Sequence, residues 1–184
     1  MMLRLYDHVN YCNTCNIYND PNQKFEVYHS VKFKNSTPAP ITTAPIFVVS
    51  QLEDPLAQDE ISYTPVGSEA RVKLSKAIDV ELKNTEEEVS REENAKRINK
   101  TVYTKVILKG TINVANFQDK KITLNLSKSV QGEVTASDGG KITKVRSGYQ
   151  GALNPNSEIK WDINIGVNEK KAITYTYEVW LQVY

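Results

Sequence analysis

IKWDINIGVNEKKAITYTYEVWLQV, residues 159–183, alternates apolar and polar side chains in two runs. Ile159, Trp161, Ile163 and Ile165 share one parity. Beyond Gly166 to Glu169 the series resumes with Ile173, Tyr175, Tyr177, Val179, Leu181 and Val183. Successive side chains of an extended chain point to opposite faces, so a sustained period of two specifies strands with one oily face each. β-Branched and aromatic residues fill the apolar positions, as a half-buried pleated surface favours. The segment reads as a terminal hairpin turning at 166–169, with the most apolar face of the chain directed inward. Trp161 lies on that face, whereas Trp180 has the opposite parity and is expected at a rim or an interdomain contact.

Upstream, Asp138-Gly139-Gly140 marks a turn, because glycine supplies the positive φ that tight turns require; Ile142 and Val145 lie beyond it. Val102, Val106, Leu108, Ile112 and Val114 share a face, and Ile122, Leu124, Leu126 and Val130 resume the alternation. A turn at Asn116 to Lys120 makes these a second hairpin. Between Glu86 and Lys100, five glutamates give way to Lys96, Arg97 and Lys100, with only Val89, Ala95 and Ile98 apolar. As a helix this stretch would gain pairs such as Glu87 with Arg91, worth about 0.2–0.5 kcal/mol each, too little without a buried stripe. The expectation is a solvated hairpin extension with its loop near Asn94 and its charges in water.

Closer to the N-terminus, Phe25, Val27, His29, Val31 and Phe33 alternate with Glu26, Tyr28, Ser30 and Lys32, a further strand. Pro38, Pro40 and Pro45 then interrupt regular structure. Ile46 to Val49 suits a short buried strand, a weaker strand falls around Ile61 to Tyr63, and Val72 and Leu74 begin another alternating piece. The sum is an all-β chain: a smaller β-rich segment over residues 1–76, followed over 77–184 by an immunoglobulin-like antiparallel β-sandwich, in which one-faced sheets bury each other.

The 184 residues suffice for a core that needs no disulfide or metal staple. Lys and Arg total 23 against 22 Asp and Glu, so no net field draws nucleic acid or anionic lipid to the surface as a whole. No apolar run reaches the length that spans a bilayer, and Met1 to Asn10 lacks the basic and apolar regions of a signal peptide.

Motifs for catalysis are missing: there is no nucleophile elbow, zinc-protease helix, phosphate loop or Rossmann glycine fingerprint. Ser157 and Lys160 have the spacing of a serine–lysine pair, but on a strand positions i and i+3 lie on opposite faces. Asp59 with Glu60, and Glu86 to Glu88, read as exposed loop charge, since acid–base work needs one carboxyl held in a cleft. Asp138 has no succession of oxygen ligands around it and reads as a turn residue rather than a calcium ligand. No catalytic or cofactor-binding residue is expected. The only cysteines and histidines are His8, Cys12, Cys15 and His29. Two thiolates and two imidazoles can make a tetrahedral zinc site, although the spacing is not that of a standard finger. Cys12 and Cys15 can equally close a disulfide loop or stay reduced, according to compartment, and His29 suits a hydrogen-bonded core position. No metal is favoured.

Three stretches resemble a known family: Thr42-Thr43-Ala44-Pro45; Pro55-Leu56-Ala57-Gln58-Asp59 leading into Tyr63-Thr64-Pro65-Val66-Gly67-Ser68-Glu69; and the ending Lys170-Lys171-Ala172-Ile173-Thr174-Tyr175-Thr176-Tyr177-Glu178-Val179. They are similar to the C-terminal part of bacterial proteins carrying the domain of unknown function 4139, over about Phe25 to the C-terminus. The resemblance implies a β-rich, exported or envelope-associated protein whose signal would lie upstream of Met1, with an unidentified protein or envelope partner. It supplies no catalytic motif. The functional expectation is a non-enzymatic structural or interaction module. The alternatives are a carbohydrate- or envelope-ligand-binding module, with tyrosines such as Tyr103 and Tyr149 stacking on sugar rings, or an accessory domain of a larger enzyme.

Overall fold

A computed structural model describes residues 8–10, 26–145 and 153–183, and among these none is helical. The strands are β1 His8–Asn10, β2 Tyr28–Lys34, β3 Ala44–Val49, β4 Pro55–Ile61, β5 Glu69–Lys76, β6 Val80–Ile98, β7 Thr101–Asn116, β8 Ile122–Gln131, β9 Glu133–Ser137, β10 Lys141–Val145, β11 Asn156–Ile165 and β12 Lys170–Val183. They form a six-stranded sheet in the order β10-β11-β8-β1-β2-β5, a four-stranded sheet in the order β6-β7-β12-β9, and the two-stranded β3–β4 hairpin. Every pairing is antiparallel except that of β1 with β8. The six-stranded sheet thus carries strands from both sides of residue 77.

The two larger sheets share one core, as the expected all-β sandwich requires. Ile122, Leu124, Leu126, Ile159, Trp161, Ile163 and Ile165 meet Leu82, Ile112, Val114, Ile173, Tyr175 and Tyr177. Trp161 is buried, its ring 6.1 Å from that of Tyr175 across the core. Its indole N–H, which could not be left unpaired there, donates to the Asp138 carbonyl at 3.0 Å. Asp138 also accepts from the Thr174 amide and hydroxyl, so the corner at Asp138-Gly139-Gly140, with Gly139 at φ 65°, is tied to β12.

Both expected hairpins prove to be corners between sheets. β7 pairs with β6 and β12, and β8 with β11 and β1, so the chain crosses the core at 117–121 and again at 166–169. Alternation states which side of a strand is oily, but that side can be buried by folding over onto a facing sheet as well as by a neighbour's side chains. Here adjacent strands face each other. The crossing frees backbone groups that must be satisfied elsewhere, and buried Asn116 does much of this: its Nδ2 donates to the carbonyls of Lys120 and Gly166 at 2.9 and 2.7 Å, while its Oδ1 accepts from the Gln118 amide.

The charged stretch is a hairpin extension, as expected, but its turn is at Asn99–Lys100, five residues beyond Asn94. Asn94 lies instead in an irregularity between Glu92 and Lys96, and both asparagines adopt φ 55°. Asparagine tolerates this left-handed conformation better than most residues, which made either a candidate turn. The weaker strand begins earlier than read, at Pro55, and ends at Ile61.

Trp161→Ala removes a buried ring and its hydrogen bond at the centre of this core. It should cost about 3–5 kcal/mol in urea unfolding, whereas an unchanged midpoint and slope would show that the ring is not between the sheets.

Candidate functional site

The inward face of β8 reads Ile122, Leu124, Leu126, Lys128, Val130, a lysine in phase with the apolar series. The inward face of β6 reads Val80, Leu82, Asn84, Glu86, likewise ending on polar groups. Facing each other from opposite sheets, Lys128 and Glu86 form an ion pair of 2.9 Å with side chains only 7% and 5% exposed. Glu86 is therefore not the exposed loop charge read from the sequence; its neighbours Glu87 and Glu88 are exposed, on strand β6. A charge taken this far from water needs partners on its remaining lone pairs. Tyr175 donates to Glu86 Oε1 at 2.5 Å and Tyr177 to Oε2 at 3.0 Å, and the Tyr175 hydroxyl also lies 3.1 Å from Asn84 Oδ1. The two rings stack, centroids 6.2 Å apart, and the Lys128 ammonium lies 5.8 Å from the Tyr175 centroid.

Gly110 makes this reach possible. Glu86, Gly110 and Tyr175 form one row across β6, β7 and β12, and a Cβ at Gly110 would lie only 2.0 Å from Tyr175 Cζ. A glycine inside a strand pattern signals such close approach. With the lysine at 128, it was the sequence feature that could have revealed the cluster.

Electrostatics follow from the geometry. Burial alone pushes the Glu86 carboxyl up, but the Lys128 charge and the hydrogen bonds from Tyr175, Lys128 and Tyr177 together outweigh it and hold the group at about 2. Burial, reinforced by the Glu86 anion, raises both tyrosines well above their ordinary 10. At neutral pH Glu86 is an anion and both phenols are neutral.

The other sequence candidates are placed separately. Ser157 is buried and donates to the Gly132 carbonyl at 2.7 Å, while exposed Lys160 pairs with Glu158, so the two are apart as the strand parity requires. His29 Nε2 lies 3.4 Å from Gln118 Nε2. His8 pairs in register with Ser30, and Val9 with His29. Cys12, Cys15 and Tyr149 fall outside the described residues. Among the described residues no three His, Cys, Asp or Glu side chains converge as for a metal ion.

Two exposed features remain. On the outer face of the four-stranded sheet, half-buried Trp180 pairs in register with Lys105, next to Tyr103 opposite Gln182. Lys96 and Lys105 lie 5.5 and 5.9 Å from the Trp180 ring, and Lys105 is bridged to Glu178 at 2.6 Å. Asn154 receives the Trp180 amide and donates to its carbonyl, continuing the ladder past the end of β9. Trp180, expected at a rim or an interdomain contact, thus lies half-buried on the outer face of the sheet, opposite in parity to Tyr175 and Tyr177. The β3–β4 hairpin is different. Val48 and Ile61 are buried, but Phe47 is 62% exposed and Leu52, at the tip, 84%, so the run 46–49 is not a buried strand as a whole. No described helix is long and apolar enough to cross a membrane.

A carboxyl depressed in the folded state stabilises above its ordinary pKa, and the benefit is lost as pH falls towards its folded value. Stability should therefore decline between about 4.5 and about 2, by on the order of 3 kcal/mol from this group. In Glu86→Gln that component should vanish from the pH profile, and an unchanged acid limb would contradict the assignment. The raised phenols add an alkaline limb, with stability falling as pH rises past 10, where the unfolded tyrosines ionise first.

Comparison with models of protein families, with curated proteins and with solved structures found no match.

Proposed function

We propose that the chain is a non-enzymatic structural or interaction module. The observation that carries this is the β3–β4 hairpin, which pairs with neither large sheet and directs Phe47, Leu52 and Leu56 to solvent. Large apolar groups left in solvent on such an element serve contact better than they serve stability. The buried Glu86–Lys128 cluster supports the same reading from the other side: its lone pairs are occupied by tyrosine hydroxyls, and so little of it is open that a substrate has no approach. Kinship with bacterial proteins carrying the domain of unknown function 4139, and export to or association with the envelope, belong to the proposal. They are supported by the residues at 42–45, 55–69 and 170–179. An immunoglobulin-like connectivity belongs to it as well, supported by the core tryptophan and the crossings between sheets.

A second reading, a carbohydrate-binding module, is favoured by Trp180 and Tyr103 on one outer face beside Glu178 and Gln182. Sugars stack their apolar faces on such rings while neighbouring polar groups take the hydroxyls.

Esterase, glycosidase and peptidase assays on the purified chain should match buffer. Turnover abolished by Glu86→Gln or Lys128→Met would overturn the first reading. In native gels containing a neutral polysaccharide, retardation lost in Trp180→Ala would establish the second, and equal mobility with and without polysaccharide would dismiss it.

A further inference from the structure

We propose that the β3–β4 hairpin is a self-association element whose occupant is a second copy of this chain, docked about a two-fold axis. Resting on the reading of the chain as an interaction module, this names the partner. Burial along the hairpin alternates cleanly. Val48 and Ile61 are inward, while Pro45, Phe47, Leu56, Gln58 and Glu60 are exposed on the other side. The outward face therefore has a strand's period-two pattern with apolar residues where a solvated hairpin would carry polar ones.

Charge selects the partner. Residues 41–66 contain Glu53, Asp54, Asp59 and Glu60 and no lysine or arginine. Alongside them the register of β2 with β5 puts Lys32, Lys34, Arg71, Lys73 and Lys76 on one face of the six-stranded sheet at its edge, with Glu69 among them and Glu26 paired to Lys76. Arg71 bonding Asn125 and Lys73 lying over the Tyr28 ring mark this as the face away from the core. The hairpin adjoins that edge, where Asp59 accepts the Lys73 amide at 2.8 Å. An acidic, apolar element next to a basic face is self-complementary. A two-fold operation lays the hairpin tip of each copy over the basic face of the other and brings the apolar residues together near the axis. Opposite charges at such a rim steer encounter and set orientation. The acidic hairpin is poorly matched to an anionic membrane.

The test is sedimentation velocity on the full chain over a range of concentrations at low and high salt. The expected result is a reversible monomer–dimer equilibrium that weakens with salt and is lost in Phe47→Ser/Leu52→Ser. A charge swap decides the geometry even should that variant not fold. Glu53→Lys/Asp54→Lys and Arg71→Glu/Lys73→Glu should each be monomeric alone and form a mixed dimer when combined. A wild type that stays monomeric throughout, or swapped variants that fail to associate on mixing, would overturn the proposal. A monomeric wild type without enzymatic turnover would leave the interaction-module reading standing with a different partner.

Discussion

Two sheets, each apolar on one face, must cover each other, and everything else in the fold is arranged around that closure. The closing pair is β8 with β11 on one side and β7 with β12 on the other, each joined by long antiparallel ladders. Apolar burial is non-directional: it drives the faces together without saying how they should be aligned. The Glu86–Lys128 bridge adds direction, because it forms only where β6 and β8 are placed so that the two chains meet between the tyrosines. A buried pair of this kind gains little over well-packed apolar groups, yet breaking it leaves an uncompensated charge. That asymmetry penalises alignments of the sheets that bury Glu86 and Lys128 apart from each other.

The same constraint explains the corners and the edges. A chain that crosses from sheet to sheet gives up ladder hydrogen bonds at each crossing, and Asn116 restores them for two crossings at once by gripping Lys120 and Gly166. Past the core, β6 runs on with nearly all of its side chains exposed. There β6 is a sheet edge, which would invite pairing with another chain if it were flat and apolar. Its irregularities after Glu88 and Glu92, together with its dense charge, blunt that edge. The β3–β4 hairpin is likewise irregular after Val48 and carries Glu53, Asp54, Asp59 and Glu60, yet it leaves Phe47, Leu52 and Leu56 in solvent.

Much of this was legible in the sequence. Alternation located the longer strands and their inward sides, put Trp161 inside and gave Trp180 the opposite parity, and separated Ser157 from Lys160, but it did not show the short strands β1 and β9. It could not name the neighbours, because a face-to-face corner and an edge-to-edge hairpin bury the same residues; the turns at 116–120 and 166–169 are where the alternation puts them, but they join strands of different sheets and not hairpin partners. Glu86 was misread because it stands in a run of glutamates whose other members are wet, and only the partner lysine, 42 positions on by residue number, shows which one is buried. Gly110 inside a strong strand pattern and Lys128 inside an apolar series were both visible. Each is a local exception, and neither points to the other until the strands are paired.

The closure rests on the pairing of β12 with β7 in the four-stranded sheet, with β11 facing it from the other. Cross-strand Hα–Hα nuclear Overhauser effects on the isotope-labelled protein test it directly. Contacts should link β12 to β7 in the register that sets Tyr175 opposite Gly110 and Ile173 opposite Ile112, and β11 to β8 in the register that sets Trp161 opposite Leu126. A ladder of Hα contacts joining β11 directly to β12 through the turn at 166–169 would contradict it.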